Sequence, residues 1–205
     1  MKVPLSWLKE YIDLPQPPIH IAKMLTLAGL EVDAVETLSP RFSGVVVGEV
    51  KEVTKHPNAD KLCVASVTDG KETFQVVCGA PNCRPGIKTA FAKVGASLLD
   101  DEDKEFKVKT SKIRGTESFG MLCSGKELKI DEQNEGIIEF GPDAVVGADV
   151  AEMFSDTVFE ISLTPNLNHC TSIIGIVREL RAATGEAMRQ PEIHVTEDVS
   201  SDISQ

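Results

Sequence analysis

Long apolar runs, aromatic side chains and net positive charge are all scarce in this chain of 205 residues. No stretch approaches the roughly 18 consecutive apolar residues of a membrane-spanning helix, and Met1-Lys2-Val3-Pro4 leads into no hydrophobic signal core. A membrane span and secretion are therefore unsupported, and the expected location is cytoplasmic. Five cysteines, an odd number, argue against a disulfide framework and fit a reducing compartment. One Trp, one Tyr and eight Phe leave few rings for stacking bases. The formal charge is -11, whereas long-range steering toward phosphate needs the opposite sign. What is present is ordinary globular material: 41% hydrophobic and 26% charged residues, on a length that suits one large domain or two small ones.

The total charge hides a gradient. Residues 1-40 carry three basic and five acidic side chains, residues 41-150 carry 15 and 18, and residues 151-205 carry three and nine. Within the middle segment Lys104, Lys107, Lys109, Lys112 and Arg114 crowd together against Glu105 alone. A local basic stripe on an acidic protein is therefore expected.

Hydrophobic period divides the chain at the same places. From 19 to 30 the residues Ile21, Ala22, Leu25, Ala28 and Leu30 recur at helical spacing, with Pro17-Pro18 at the entrance. Beyond Ser39-Pro40 the pattern turns to β-rich runs at 44-50, 62-67, 73-78, 88-94, 106-113 and 136-140, separated by turn residues such as Asp69-Gly70 and Pro81-Asn82. Five or six strands in about 110 residues without a long helix predict a small antiparallel barrel. The helical period returns in Ile173, Ile176, Val177 and Leu180, and Gly185 is the expected stop. Neither flank has enough apolar surface for a core of its own. The expected organisation is thus α+β: one discontinuous α/β domain, 1-40 with 151-190, into which a barrel at 41-150 is inserted, followed by a polar, acidic linker at 191-205 that ends as if the chain had been cut.

Most constellations that could carry chemistry fail on their own terms. Gly120 to Lys126 has the glycine and lysine spacing of a phosphate loop, but Glu127 stands where Ser or Thr must hold Mg²⁺. Cys78 and Cys83, with Cys63 and Cys123 elsewhere, could supply four thiolates for zinc. Strand alternation instead places Cys63 and Cys78 in the core, so no metal site is expected. His169-Cys170 are sequence neighbours whose side chains diverge at a helix start, which a catalytic Cys-His pair does not allow. The acidic run 100-103 lacks the glycine and closing glutamate of a calcium loop and reads as a solvated hairpin tip. What remains is the basic stripe. In a strand over 106-109, Phe106 and Val108 point inward while Lys107 and Lys109 share an exposed face, and Lys112 and Arg114 continue the row beyond a phase shift at Thr110-Ser111. Such a row can follow a phosphate backbone, and it can equally be a solvated strand face.

Six blocks stand in a recognisable order: Val46 to Val50, His56-Pro57-Asn58-Ala59-Asp60-Lys61-Leu62, Val77 to Asn82, Lys112-Ile113-Arg114-Gly115, Glu117-Ser118, and Gly120 to Ser124. They resemble the tRNA-binding oligonucleotide-binding-fold (OB-fold) domain shared by the endothelial-monocyte-activating polypeptide, free-standing tRNA-binding proteins and several synthetases. The flanks, Val3 to Leu8, Leu27 to Asp33, Leu163 to Asn166 and Arg178-Glu179-Leu180, are similar to the start of the beta chains of the bacterial phenylalanyl-tRNA synthetase family. Leu167 and His169 depart from the Arg and Asp usual there. The resemblance implies a non-catalytic piece of an ATP-dependent ligase that joins phenylalanine to tRNA. It implies an alpha2beta2 tetramer with an alpha subunit as partner, and ATP and Mg²⁺ held outside this piece. It implies tRNA binding by phosphate positioning without base-level specificity, and the expected contacts are Lys55, Lys61, Lys107, Lys109, Lys112 and Arg114. Asn58 and Asp60 are expected to shape their turn. A free-standing tRNA-binding or chaperone-like protein, a structural subunit-contact module and a small metalloenzyme are the other classes considered.

Overall fold

A short strand, β1 (Lys2–Pro4), runs directly into helix α1 (Leu5–Tyr11), where Leu5 and Leu8 lie one turn apart and are buried. In the computed structural model, which describes residues 1-132 and 135-190, α2 (Pro18–Leu27) comes next. Pro18 suits its first turn because an N–H there would have no helical partner, and Ile21, Ala22 and Leu25 form its buried stripe. The helix ends at Leu27, earlier than its apolar period, because the Leu30 N–H turns back to the Leu25 carbonyl at 2.9 Å. After β2 (Glu31–Leu38) the chain becomes strand-rich. It forms β3 (Ser43–Lys55), β4 (Cys63–Thr68), β5 (Thr73–Cys78) and β6 (Lys88–Leu99), then the short β7 (Glu105–Lys107), β8 (Ser111–Ile113), β9 (Thr116–Ser118) and β10 (Met121–Leu122). The one-turn helix α3 (Val150–Met153), β11 (Asp156–Ser162), a 3-10 segment (Pro165–Cys170) and α4 (Ile173–Thr184) follow.

These elements form two compact units. The first takes Met1–Leu38 together with the described residues 156-190, and the second is Ser39–Ser155. In the first unit β11 lies between β1 and β2, antiparallel to both. Val3, Leu8, Ile21, Phe159, Ile176 and Leu180 are among its fully buried side chains. Helix α4 is capped at both ends: the Ser172 hydroxyl accepts the Gly175 N–H at 3.1 Å, and Gly185, at φ +78°, returns its N–H to Arg181 at 2.8 Å. Its buried residues include the four that the helical period selects.

The second unit is mostly antiparallel sheet with few helices. Its strands run in the order β10-β6-β3-β4-β5, with β7 added to β6 and β8–β9 as a separate hairpin. Among the described residues this ladder does not close into a ring. Strand β3 serves both of the unit's apolar clusters. Val45 and Val47 pack with Leu98 and Val150, while Val50, out of phase beside a register shift, packs with Val67 and Phe91.

Two sequence expectations change. The run 106-113 is not one strand. The Val108 N–H bonds to Ala96 at 2.8 Å and continues the β6–β7 pairing, after which β8 takes a different partner, β9. Phe106, on an edge strand, stays 41% exposed instead of buried, whereas Val108 is buried. The run 136-140 is not a strand either, and contributes one bridge, Phe140 to Lys88. The Asn82 amide takes both backbone groups of Ile137, at 3.0 Å and 2.8 Å, so no neighbouring strand is needed to satisfy them. The linker expected at 191-205 lies outside the described residues. No helix among the described residues is long and apolar enough to cross a membrane.

Candidate nucleic-acid interface

Strand β3 ends at Lys55, opposite Cys63 at the start of β4. The connection between them folds back on itself: the His56 N–H reaches the Leu62 carbonyl at 3.2 Å, and the Leu62 N–H reaches Ala59 at 3.3 Å. The His56 side chain is buried inside this turn. Its Nδ1 accepts the Asn58 N–H at 3.1 Å and its Nε2 lies 3.1 Å from the Ile113 carbonyl, and these partners assign the neutral tautomer that carries its proton on Nε2. The Asn58 amide donates to the next carbonyl, that of Arg114, at 3.1 Å.

Those two carbonyls open the tight turn between β8 and β9. Ile113 pairs with Thr116, leaving Arg114 at φ +45° and Gly115 at φ +94° as a two-residue connection. Positive φ at both central positions matches the right-handed twist of a hairpin. Glycine adopts it freely, but an L-residue such as arginine gives up about 1-2 kcal/mol. The Asn58 amide offsets part of that strain by fixing the arginine carbonyl. The other side of the hairpin is fastened to β5. Phe119 N–H donates to Gln75 O at 2.8 Å, the Gln75 amide to Glu117 O at 2.7 Å, and the Val77 N–H to the buried Ser118 hydroxyl at 3.0 Å.

The six expected contact residues fall into two groups. The hydrogen bonds of His56 and Asn58 join the segment carrying Lys55 and Lys61 to the hairpin carrying Lys112 and Arg114. Lys107 belongs to β7 and Lys109 follows it, and no described hydrogen bond ties either to that turn. All six are exposed, and none makes an ion pair with a described residue. Five of the unit's nine other cations are paired, Lys51 with Glu49, Arg84 with Glu139, Lys93 with Asp69, Lys104 with Glu102 and Lys129 with Asp103, whereas Arg41, Lys71, Lys88 and Lys126 make no ion pair with a described residue. Phe119, 37% exposed, supplies an aromatic surface beyond the hairpin. The sequence marked Asn58 as a turn residue and gave His56 no role. Their grip on a turn more than fifty positions away has no local signal.

Other constellations resolve into structural roles. Glu127 accepts the Ser124 N–H at 2.7 Å and the Ser124 hydroxyl at 2.8 Å, a capping box that occupies an N–H a phosphate would need. His169 Nε2 faces Glu179 Oε1 at 3.0 Å, with buried Cys170 beside them. Cys63, Cys78 and Cys83 are brought together, their sulfurs within 4.8 Å of one another. The Cys83 thiol, hydrogen-bonded to Cys78, draws the Cys78 thiol down to about 7, while burial pushes Cys63 up.

Residues 45–149 match the family model described as "Putative tRNA binding domain". Over 97% of its length the chain is 60% identical to the phenylalanine–tRNA ligase beta subunit of Protochlamydia amoebophila, covering 25% of that protein. It is 46% identical to the corresponding subunit of Syntrophus aciditrophicus, over 97% of this chain and 24% of that one. The chain therefore spans about a quarter of the length of the curated relatives it matches. Among solved structures, a MetRS-related protein from Pyrococcus horikoshii aligns with a TM-score of 0.38 and 27% identity, over 54% of this chain and 90% of that one.

Proposed function

Because the chain belongs to the tRNA-binding domain family, we propose that its second unit is an OB-fold module of the antiparallel-barrel type that holds tRNA by its phosphates. The observation that carries this reading is the pairing of two cationic segments: unpaired Lys55 and Lys61 are hydrogen-bonded, through His56 and Asn58, to the turn that presents unpaired Lys112 and Arg114. Lys107 and Lys109 extend the surface from β7. Lysine and arginine on a rigid scaffold release counterions from the backbone and fix register, and they read shape instead of base edges.

The likeness to ligase beta subunits over nearly the whole chain supports a wider reading. The chain is the N-terminal region of a phenylalanine–tRNA ligase beta subunit, in which residues 1-40 and 151-190 form a discontinuous host domain around the tRNA module. The complete enzyme is an alpha2beta2 assembly that uses ATP and Mg²⁺ at sites outside this region. This part binds and positions tRNA and carries no catalytic group.

Filter binding of tRNA to the chain at a series of salt concentrations tests the contact. Neutralising about four phosphates gives a log-log salt slope of about -3. No retention at low salt, or retention indifferent to salt, overturns direct binding and makes the unit a subunit-contact module.

A further inference from the structure

We propose that Cys63, Cys78 and Cys83 form a binding site for a closed-shell, thiophilic cation, Zn²⁺ in the first place, held by three thiolates with the fourth position open to solvent. Cys63 and Cys78 are cross-strand partners, the first pair of the β4–β5 ladder. Cys83 returns to them through the turn that follows β5, which is closed by its own N–H to Ala80 O at 3.3 Å. That turn is fixed from outside. Asn82 binds the backbone of Ile137, and the Arg84 guanidinium meets both oxygens of Glu139 at 2.7 Å. The three sulfurs therefore stand on rigid elements within 4.8 Å of one another. Tetrahedral zinc with Zn–S near 2.3 Å needs sulfurs about 3.8 Å apart, a contraction of at most about 1 Å that side-chain rotation supplies.

The surroundings suit a bound ion. The Ala80 N–H points at Cys78 Sγ at 3.4 Å, a donor of the kind that orients a metal-bound thiolate. Cys63 and Cys83 are only half-buried, which leaves a path for entry. Without metal, Cys63 is a thiol that donates to Cys78 O at 3.3 Å, a bond given up on loading. Loading forms three Zn–S bonds in place of the S–H bonds still present and releases those protons, at most three, to solvent, and nothing is oxidised or reduced. The site binds a cation and does not depend on the tRNA reading. His169, Cys170 and Glu179 make a weaker candidate, because the imidazole already faces a carboxylate at 3.0 Å.

The test uses the whole chain, freed of metal by a chelator and kept reduced by a phosphine, titrated with Co²⁺ as a spectroscopic probe and then with Zn²⁺. Expected are one ion per chain, sulfur-to-cobalt charge-transfer absorption that Zn²⁺ abolishes, and proton release on loading. Each of Cys63→Ser, Cys78→Ser and Cys83→Ser weakens binding at least about 100-fold, while Cys123→Ser and Cys170→Ser change it less than about twofold. Absence of saturable one-to-one uptake overturns the site, as does uptake that survives the triple Ser variant or falls equally with Cys123→Ser. For any variant that fails to fold, the wild-type protein gives the answer through maleimide labelling. Zn²⁺ must protect Cys63, Cys78 and Cys83 together, and unchanged labelling or protection confined to other cysteines refutes the assignment.

Discussion

If Arg114 contacts tRNA as proposed, Asn58→Ala separates the residue that positions the contact from the one that makes it. The Asn58 amide holds the Arg114 carbonyl at 3.1 Å, and Arg114 sits at φ +45°. Removing a hydrogen bond of this kind costs about 1 kcal/mol, comparable with the strain of a left-handed arginine. The hairpin tip then spends more of its time relaxed, and a shift of about 1 kcal/mol against the competent state weakens binding by at most about fivefold. No charge is lost, so the salt slope of tRNA binding stays unchanged. Arg114→Ala removes a phosphate contact and lowers the magnitude of the slope by about 0.7 to 0.9. The double variant binds within about twofold of Arg114→Ala alone, because positioning an absent guanidinium has no value. Filter binding between about 50 and 200 mM salt measures all three. A slope change with Asn58→Ala, or full additivity in the double variant, refutes the positioning role.

Three further substitutions examine the electrostatics. Lys104 lies in the same basic run but beside the acidic residues 100-103 and paired with Glu102, so Lys104→Ala should leave tRNA affinity within about twofold, whereas Lys112→Ala weakens it and flattens the slope. Asp69 is buried under the β4–β5 turn, with Lys93 at 2.6 Å and the N–H groups of Lys71 and Glu72 at 2.9 and 2.8 Å; the Lys93 ammonium foremost holds its carboxyl well below the usual range. A carboxylate depressed in the folded state stabilises fully above its unfolded value near 3.9 and loses that contribution as pH falls through the folded one. Asp69→Asn should therefore cost about 1-2 kcal/mol in urea unfolding at pH 7, with a deficit that shrinks below about pH 4. A deficit constant with pH contradicts the ion-pair account.

How much of this was readable in advance depends on the range of each interaction. Helix α4 was legible because Ile173, Ile176, Val177 and Leu180 repeat within one element and Gly185 ends it. The phosphate loop was excluded by Glu127 after Lys126, which denied it a magnesium ligand, but the bonds of that carboxylate to Ser124 were not read. The run 136-140 was misread because the Asn82 side chain, more than fifty positions earlier, takes the backbone of Ile137, while Ile138 and Phe140 bond singly to Cys123 and Lys88. Its β-rich composition carries no trace of those bonds. The break after Val108 was announced by the phase shift at Thr110-Ser111, but which strand each half joins is set by Ala96 on one side and Thr116 on the other. The three thiols show the same limit. Alternation sent Cys63 and Cys78 to the core, whereas their convergence follows from β4–β5 register and a turn closed from outside.

The acidity of the chain and a phosphate-binding surface on it are reconciled by distance. At physiological ionic strength charges separated by more than about 8 Å are largely screened, so a polyanion in contact responds to the charges beside it and not to the net -11. The segment 55-61 and the hairpin 112-117 bring Lys55, Lys61, Lys112 and Arg114 against only Asp60 and Glu117. Nothing described neutralises those cations. Long before contact the sign is unfavourable, which slows encounter but leaves the bound state untouched. On the proposed reading, affinity is set by hydrogen bonds that hold a few cations together. That reading gives a part to His56 and Asn58, whose hydrogen bonds to the Ile113 and Arg114 carbonyls fix the hairpin that carries the charge.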